Sequence, residues 1–183
     1  MTNPKRAILL RGKEKSLSRK HPWIFSGALK SKDKDIEEGD LVRVFSSEGE
    51  FLCIGHWQNG SIAVKVLSFE NERIDYGFVL ERIRTAVELR QTIGMFTDKD
   101  TTIFRLVNGE GDFMPSLIAD YYDGLVVVQF HSIGMYLLKE EIVQALKEIL
   151  QDNCKAIYCK SSSTLPKQEG IIAKDEFMFG TLE

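Results

Sequence analysis

The sequence predicts an α+β fold in two parts, a small β-rich meander or barrel followed by a layer in which helices cover one face of a mixed sheet. Three observations predict it. Between Gly39 and Phe69 three strand-like runs, 41–45, 50–56 and 61–69, are separated by the turn sequences Ser46-Ser47-Glu48-Gly49 and Gln58-Asn59-Gly60; Asn-Gly supplies the positive φ angles of a tight hairpin turn. Two later stretches carry apolar residues at helical spacing: Val79, Leu80, Ile83, Ala86 and Val87, then Ile142, Ala145, Leu146, Ile149 and Leu150. Between and after them lie further short apolar runs, at 102–108, 116–120, 125–131 and 155–160.

In chain order, residues 7–10 read as a first short strand. Residues 21–29 read as a compact turn or short helix carrying Trp23 and Phe25 inward. In the third run of the meander, Ile62, Val64 and Val66 alternate with Ala63, Lys65 and Leu67, which predicts one set facing each side of the sheet. Residues 70–75 are a polar connector, and a domain boundary near residue 70 divides the chain into 1–70 and 71–183. The first part is close to the smallest size at which one core suffices. Asp75 is placed to cap a helix that runs to about Ile93, with Gly94 as its stop. A second helix is predicted over 135–150. No internal repeat or low-complexity segment is present.

Hydrophobic residues make up 43% of the 183, which suits a folded globular chain. No run approaches the length of a membrane span, and the first eleven residues lack the apolar stretch and cleavage site of a secretory signal, so a cytoplasmic location without membrane association is expected. Cys53, Cys154 and Cys159 sit among strand-like apolar residues, contain no C-x-x-C pair and read as reduced, buried thiols. The net charge of -3 conceals an asymmetry: residues 1–34 hold ten Lys or Arg against Glu14 and Asp33, a net of +8, and the remainder holds 14 basic and 25 acidic residues, a net of -11. A concentrated basic end on an acidic protein suits a nucleic-acid contact surface; the alternative is a solvated basic terminus.

The motifs exclude several chemistries. In Gly109-Glu110-Gly111-Asp112-Phe113-Met114, Met114 stands where a dinucleotide or S-adenosylmethionine loop needs its third glycine, and Pro115 leads into a strand rather than a helix. There is no phosphate loop of the G-x-x-x-x-G-K-[ST] type and no G-x-S-x-G nucleophile. His21, His56 and His131 are too scattered to suggest a metal triad. A cysteine that attacks a cytosine ring needs an activated, accessible sulfur, and neither Cys154 nor Cys159 has such a setting. No catalytic residue, bound cofactor or metal site is therefore assigned.

Two constellations remain. Arg11, Lys13, Lys15, Arg19, Lys20, His21 and Trp23 combine cations that fix a phosphate backbone with rings that stack on an unpaired base, although for Trp23 a place in the core of the β-rich part is the favoured reading. Arg105, Asn108, Glu110, Asp112 and Asp120 flank a glycine-rich turn and form either a polar site or a hydrogen-bonded hairpin turn; local turn chemistry favours the hairpin.

At these residues the sequence resembles the bacterial ribosomal-RNA large-subunit cytosine-C5 methyltransferases, which use S-adenosylmethionine and begin with a PUA-type RNA-binding domain. His21-Pro22-Trp23-Ile24-Phe25-Ser26-Gly27-Ala28 looks like the family's H-P-W-[VI]-[FY]-x-x-A stretch, and Gly39-Asp40-Leu41-Val42-Arg43-Val44 its G-D-x-V-x-V strand. Ile62-Ala63-Val64-Lys65-Val66-Leu67 is similar to its I-x-[VI]-R-[VI]-L strand. Arg105-Leu106-Val107-Asn108-Gly109-Glu110-Gly111-Asp112 is similar to R-L-[VI]-[NH]-[GS]-E-x-D, and Asp120-Tyr121-Tyr122 to D-x-[YF]. The chain departs from the pattern at Phe113-Met114-Pro115-Ser116-Leu117, where the family reads G-L-P-G-L, and 161–167 lacks the family's usual Arg ahead of Glu169-Gly170-Ile171.

The resemblance implies a PUA-like barrel over 1–70 and a central α+β domain over 71–183, joined in the parent enzyme to a methyltransferase domain that this chain lacks. On that reading the chain is truncated, with Leu182-Glu183 either native or a cloning remnant, and it binds RNA, ribosomal RNA of the large subunit above all, without methylating it. S-adenosylmethionine belongs to the full-length parent, and a homodimer is left open. A rival of another class is a stand-alone regulatory or protein-interaction module whose basic end serves solubility. A second rival is a small complete enzyme that uses Glu110, Asp112 and Asp120 for acid/base work.

Overall fold

The computed structural model describes residues 4–98 and 100–181; the reading of Leu182 and Glu183 lies outside them. The chain divides into two compact units, Met1–Glu72 and Arg73–Glu183.

The first unit is a curled six-stranded sheet. Its strands are β1 (Lys5–Leu9), β2 (Trp23–Phe25), β3 (Leu29–Lys32), β4 (Leu41–Phe45), β5 (Phe51–Trp57) and β6 (Ile62–Ser68), and α1 (Lys15–Ser18) is a single helical turn. The spatial order is β2-β6-β5-β4-β1-β3. Only β1 and β4 run parallel; the other neighbours are antiparallel. The β4–β5 hairpin behaves as its turn residues dictate, Gly49 taking φ +91; the next turn does not, since neither Asn59 nor Gly60 takes a positive φ, and there the Trp57 indole N–H donates to Asn59 Oδ1 at 3.0 Å. Ala7, Val42, Val44, Cys53 and Ala63 are wholly buried in the concave interior, closed by Leu17 from α1.

Two expectations for this unit need correction. Residues 21–29 form not a turn carrying Trp23 and Phe25 inward but a strand followed by a short 3-10 turn, Ser26–Ala28. Successive strand side chains point to opposite faces, so Ile24 takes the core while Phe25 is 51% exposed and Trp23 is half-buried. The simple alternation predicted for β6 also fails, because Ala63, Val64, Val66 and Leu67 are all buried. The pairing explains it. Ile54 lies opposite Ser68 and Gly55 opposite Val66, which leaves Leu67 as an extra residue in a bulge; each bulge shifts the inward set by one position. A second irregularity, where Ile24 faces Val64 and Phe25 faces Ile62, does the same for Ala63.

The second unit is a five-stranded mixed sheet with helices. Its elements are α2 (Tyr76–Thr92), β7 (Ile103–Asn108), β8 (Leu117–Tyr122), β9 (Leu125–Phe130), α3 (Ile133–Tyr136), α4 (Lys139–Leu150), β10 (Ala156–Cys159) and β11 (Glu176–Phe179). The sheet order is β11-β10-β9-β8-β7, parallel only between β9 and β10. The Asp75 carboxylate accepts the Phe78 N–H at 3.3 Å and starts α2, as its N-cap position predicts, and Gly94 follows its end at φ +85. Helix α2 packs on α4 and β7.

The single helix predicted over 135–150 is two. Ser132 Oγ caps α3 by accepting the Met135 N–H at 3.4 Å, and the chain turns at the exposed Leu137 before α4 begins. The break lets Ile133 and Met135 bury on one axis while Ile142 and Leu146 bury on another. Among the described residues no helix is long and apolar enough to cross a membrane.

Candidate nucleic-acid interface

The basic constellation lies on the segment that leads from β1 into β2. After β1 the chain turns at Gly12, φ +83, where the Lys13 N–H donates to the Leu10 carbonyl at 3.1 Å and the Leu10 N–H to the Ala28 carbonyl at 2.9 Å. The turn of α1 drives Leu17 into the core and leaves Lys13, Lys15 and Ser16 outside. Lys20, at φ 58, ends it, its N–H on the Leu17 carbonyl at 2.8 Å. The Trp23 N–H then donates to His21 Nδ1 at 3.2 Å. That bond orients the imidazole edge-on to Trp23, with centroids 5.9 Å apart, and tilted against Phe25 at 6.4 Å.

Between the 12–17 turn and the 24–28 segment opens a groove of about 450 Å³. Lys13, Lys15, Ser16, Phe25 and Gly27 line it over a floor of Leu9, Leu17 and Ile24. The cations divide by what they are already doing. Arg11 lies 3.7 Å from Glu48 with both side chains well exposed, a geometry of little energetic weight. The Lys20 ammonium sits 4.6 Å over the Phe69 ring. Lys13, Lys15 and Arg19 have no carboxylate within ion-pair distance among the described residues.

The second constellation is an interlocked brace in the second unit. Asp112, buried at the end of a 3-10 turn, accepts two parallel bonds from the Arg90 guanidinium at 2.6 and 2.8 Å and a third from the Asn108 N–H at 2.6 Å. Arg90 also donates to the carbonyls of Arg105 at 3.0 Å and Ala86 at 3.3 Å. Arg105 grips Asp120 on the neighbouring strand at 2.9 and 3.3 Å and reaches Asn108 Oδ1 at 3.5 Å. Glu110 lies on the turn itself, and its carbonyl accepts from Phe113 at 3.3 Å. With its oxygens spent on Arg90 and a backbone amide, Asp112 is a structural anchor.

Reading the sequence missed Arg90 and Phe25. Arg90 carries a signal, a cation continuing the apolar stripe of Val79, Ile83, Ala86 and Val87. Phe25 carries none, because a three-residue strand is too short to show which face it presents.

The thiols and the buried imidazole are inert. Burial pushes the Cys53 thiol up to about 12 and that of Cys154 up to about 11. Burial also raises the thiol of Cys159, partly offset by its contact with the Ser161 hydroxyl. His56, on β5, is held neutral by burial, its pKa lowered to about 4. His21 and His131 are exposed and far apart in sequence. Among the described residues no three His, Cys, Asp or Glu side chains gather as metal ligands.

Residues 7–69 match the family model of the PUA-like domain. Over most of its length the chain is similar to proteins named ribosomal RNA large subunit methyltransferase I. It is 34% identical to that of Erwinia tasmaniensis over 91% of this chain and 41% of the relative, and 38% identical to that of Pseudoalteromonas translucida over 87% and 40%. The chain thus spans about two-fifths of the length of these curated relatives. A solved structure described as a proposed SAM-dependent methyltransferase of Streptococcus mutans overlays 97% of this chain and 44% of its own, with a TM-score of 0.79 at 17% identity. That likeness establishes the fold.

Proposed function

We propose that this chain is the RNA-recognition and substrate-positioning part of an S-adenosylmethionine-dependent methyltransferase acting on large-subunit ribosomal RNA. The observation that carries the reading is the trio of uncommitted cations, Lys13, Lys15 and Arg19, on one segment of the PUA-like unit, the first two lining a groove there. Cations on a surface feature of this kind neutralise phosphates. The second unit serves as the positioning part, a rigid support whose polar turn is locked by Arg90 and Asp112. The C5 carbon of a cytosine is the proposed target, and this finer assignment rests on the sequence resemblance alone.

Methyl transfer and the methyl donor are assigned to the portion of such enzymes that this chain does not match. Two features support that division. The glycine-rich turn with the look of a cofactor loop, Gly109–Asp112, is occupied by the Arg90 ion pair, and the three thiols are buried, with burial raising the pKa of each.

The test is a titration of a labelled large-subunit ribosomal RNA fragment with the chain and with a Lys13→Glu, Lys15→Glu, Arg19→Glu triple variant. We expect saturable binding that the variant loses by at least about 100-fold, since each phosphate contact carries a share of the affinity. Equal binding by the two proteins would remove these residues from the interface. No saturable binding by either would favour a protein-interaction module.

A further inference from the structure

We infer that the groove beside α1 receives one unpaired nucleotide of single-stranded RNA, its base stacked on Phe25 and its phosphate held by Lys13 and Lys15. The inference rests on the RNA-binding reading and deepens it by naming what the groove takes.

Phe25 is the first reason. A phenylalanine 51% exposed leaves an apolar ring in water, and this one stands at the rim of a groove on an edge strand, since β2 is the terminal strand of its sheet. The ring is held at a set angle by His21, which is itself fixed by the Trp23 N–H at 3.2 Å. An exposed, oriented aromatic face is what a nucleobase needs for stacking.

The shape and charge of the groove agree. A volume of about 450 Å³ lies within the range of small-molecule clefts. Gly12 and Gly27 line it, and a Cβ at either would meet nothing within 4 Å, so the space beside the ring is open. Leu9, Leu17 and Ile24 offer the edge of the base an apolar floor, and Ser16 a hydroxyl. None of the lining residues is acidic, and two are lysines without an ion-pair partner among the described residues. An anion with a flat apolar group attached fits this lining better than a peptide or a lipid chain does. In an A-form duplex the bases are stacked on one another, so only an unpaired base can reach Phe25.

The test compares a short single-stranded RNA with a blunt duplex of equal length, by fluorescence anisotropy, on the full chain and its variants. Phe25→Ala is expected to weaken single-strand binding about tenfold, with the salt slope and the duplex affinity unchanged, and Phe25→Tyr to restore it. Gly27→Val, at a position with an ordinary φ and open space, is expected to weaken the single strand similarly by filling the groove. If wild type binds the single strand in a salt-dependent way and both Phe25→Ala and Gly27→Val stay within twofold of it, the groove proposal is overturned while the RNA-binding reading stands. If wild type binds neither RNA, the RNA reading itself fails and takes the groove proposal with it.

Discussion

Arg90 shows how much one side chain can hold. Its guanidinium and the Asp112 carboxylate are both nearly buried, at 10% and 6% side-chain exposure, and together they tie α2, strand β7 and the turn that follows it. Removing one partner leaves the other charged and unpaired. Arg90→Met is therefore expected to cost about 3–5 kcal/mol, read by circular dichroism in urea. Replacing both, as Arg90→Met with Asp112→Leu, should recover a large part of that loss. His56 gives a prediction with a pH window. Its pKa is about 4 in the folded chain against 6.5 when exposed, so between those values the unfolded state binds a proton that the folded state does not. Stability is then full above about pH 7 and falls as the pH drops from 6.5 toward 4, by on the order of 3 kcal/mol. Both tryptophans, Trp23 and Trp57, lie in the first unit, so the unfolding of that unit can be followed by indole emission alone. His56→Gln should flatten the dependence.

At the level of elements, the close crossing of β5 and β6 depends on Gly55. A Cβ there would lie 2.2 Å from the Lys65 carbonyl oxygen, a backbone atom that cannot swing away. Gly55→Ala is expected to destabilise the first unit by about 1–3 kcal/mol, whereas Gly27→Ala, facing open space, should stay within about 0.5 kcal/mol of wild type. Indole emission in urea separates the two outcomes. The elements that could be read from the sequence are those whose pattern is local and long. Strands β4 and β5, with their turn glycines, and α2, with Asp75 before it and Gly94 after it, announce themselves. Strands β3 and β11 do not: each is four residues long and exists because β1 or β10 offers an edge to pair with. The bulges in β6 are invisible for the same reason, since register is a property of two strands. The candidate site was half legible. Cation density marks Lys13, Lys15 and Arg19, but only geometry separates them from Lys20, which is spent on Phe69, or brings Asp112 to a residue 22 positions earlier.

At the scale of the whole chain, the charge map carries the functional argument. The first 34 residues hold a net charge of +8 and the rest -11; residues 35–72 of the same unit carry two basic against eight acidic residues, so the excess of positive charge is local to the N-terminal segment rather than spread over the first unit. A corollary concerns position along the chain. Charge reversal at Lys139, Lys147 or Lys155, cations of the second unit, should leave RNA affinity within about twofold, whereas the Lys13, Lys15 and Arg19 variant loses it.

The central claim is that phosphates are held by a small set of uncommitted cations, and the salt dependence of binding measures that number most directly. Titrating the chain into single-stranded large-subunit ribosomal RNA across a series of salt concentrations should give a straight line of log affinity against log salt. A slope of about -2 is predicted for three phosphate contacts on a single strand, falling toward zero in the Lys13→Glu, Lys15→Glu, Arg19→Glu variant. A slope near zero for wild type, or one unchanged by the substitutions, would contradict the account.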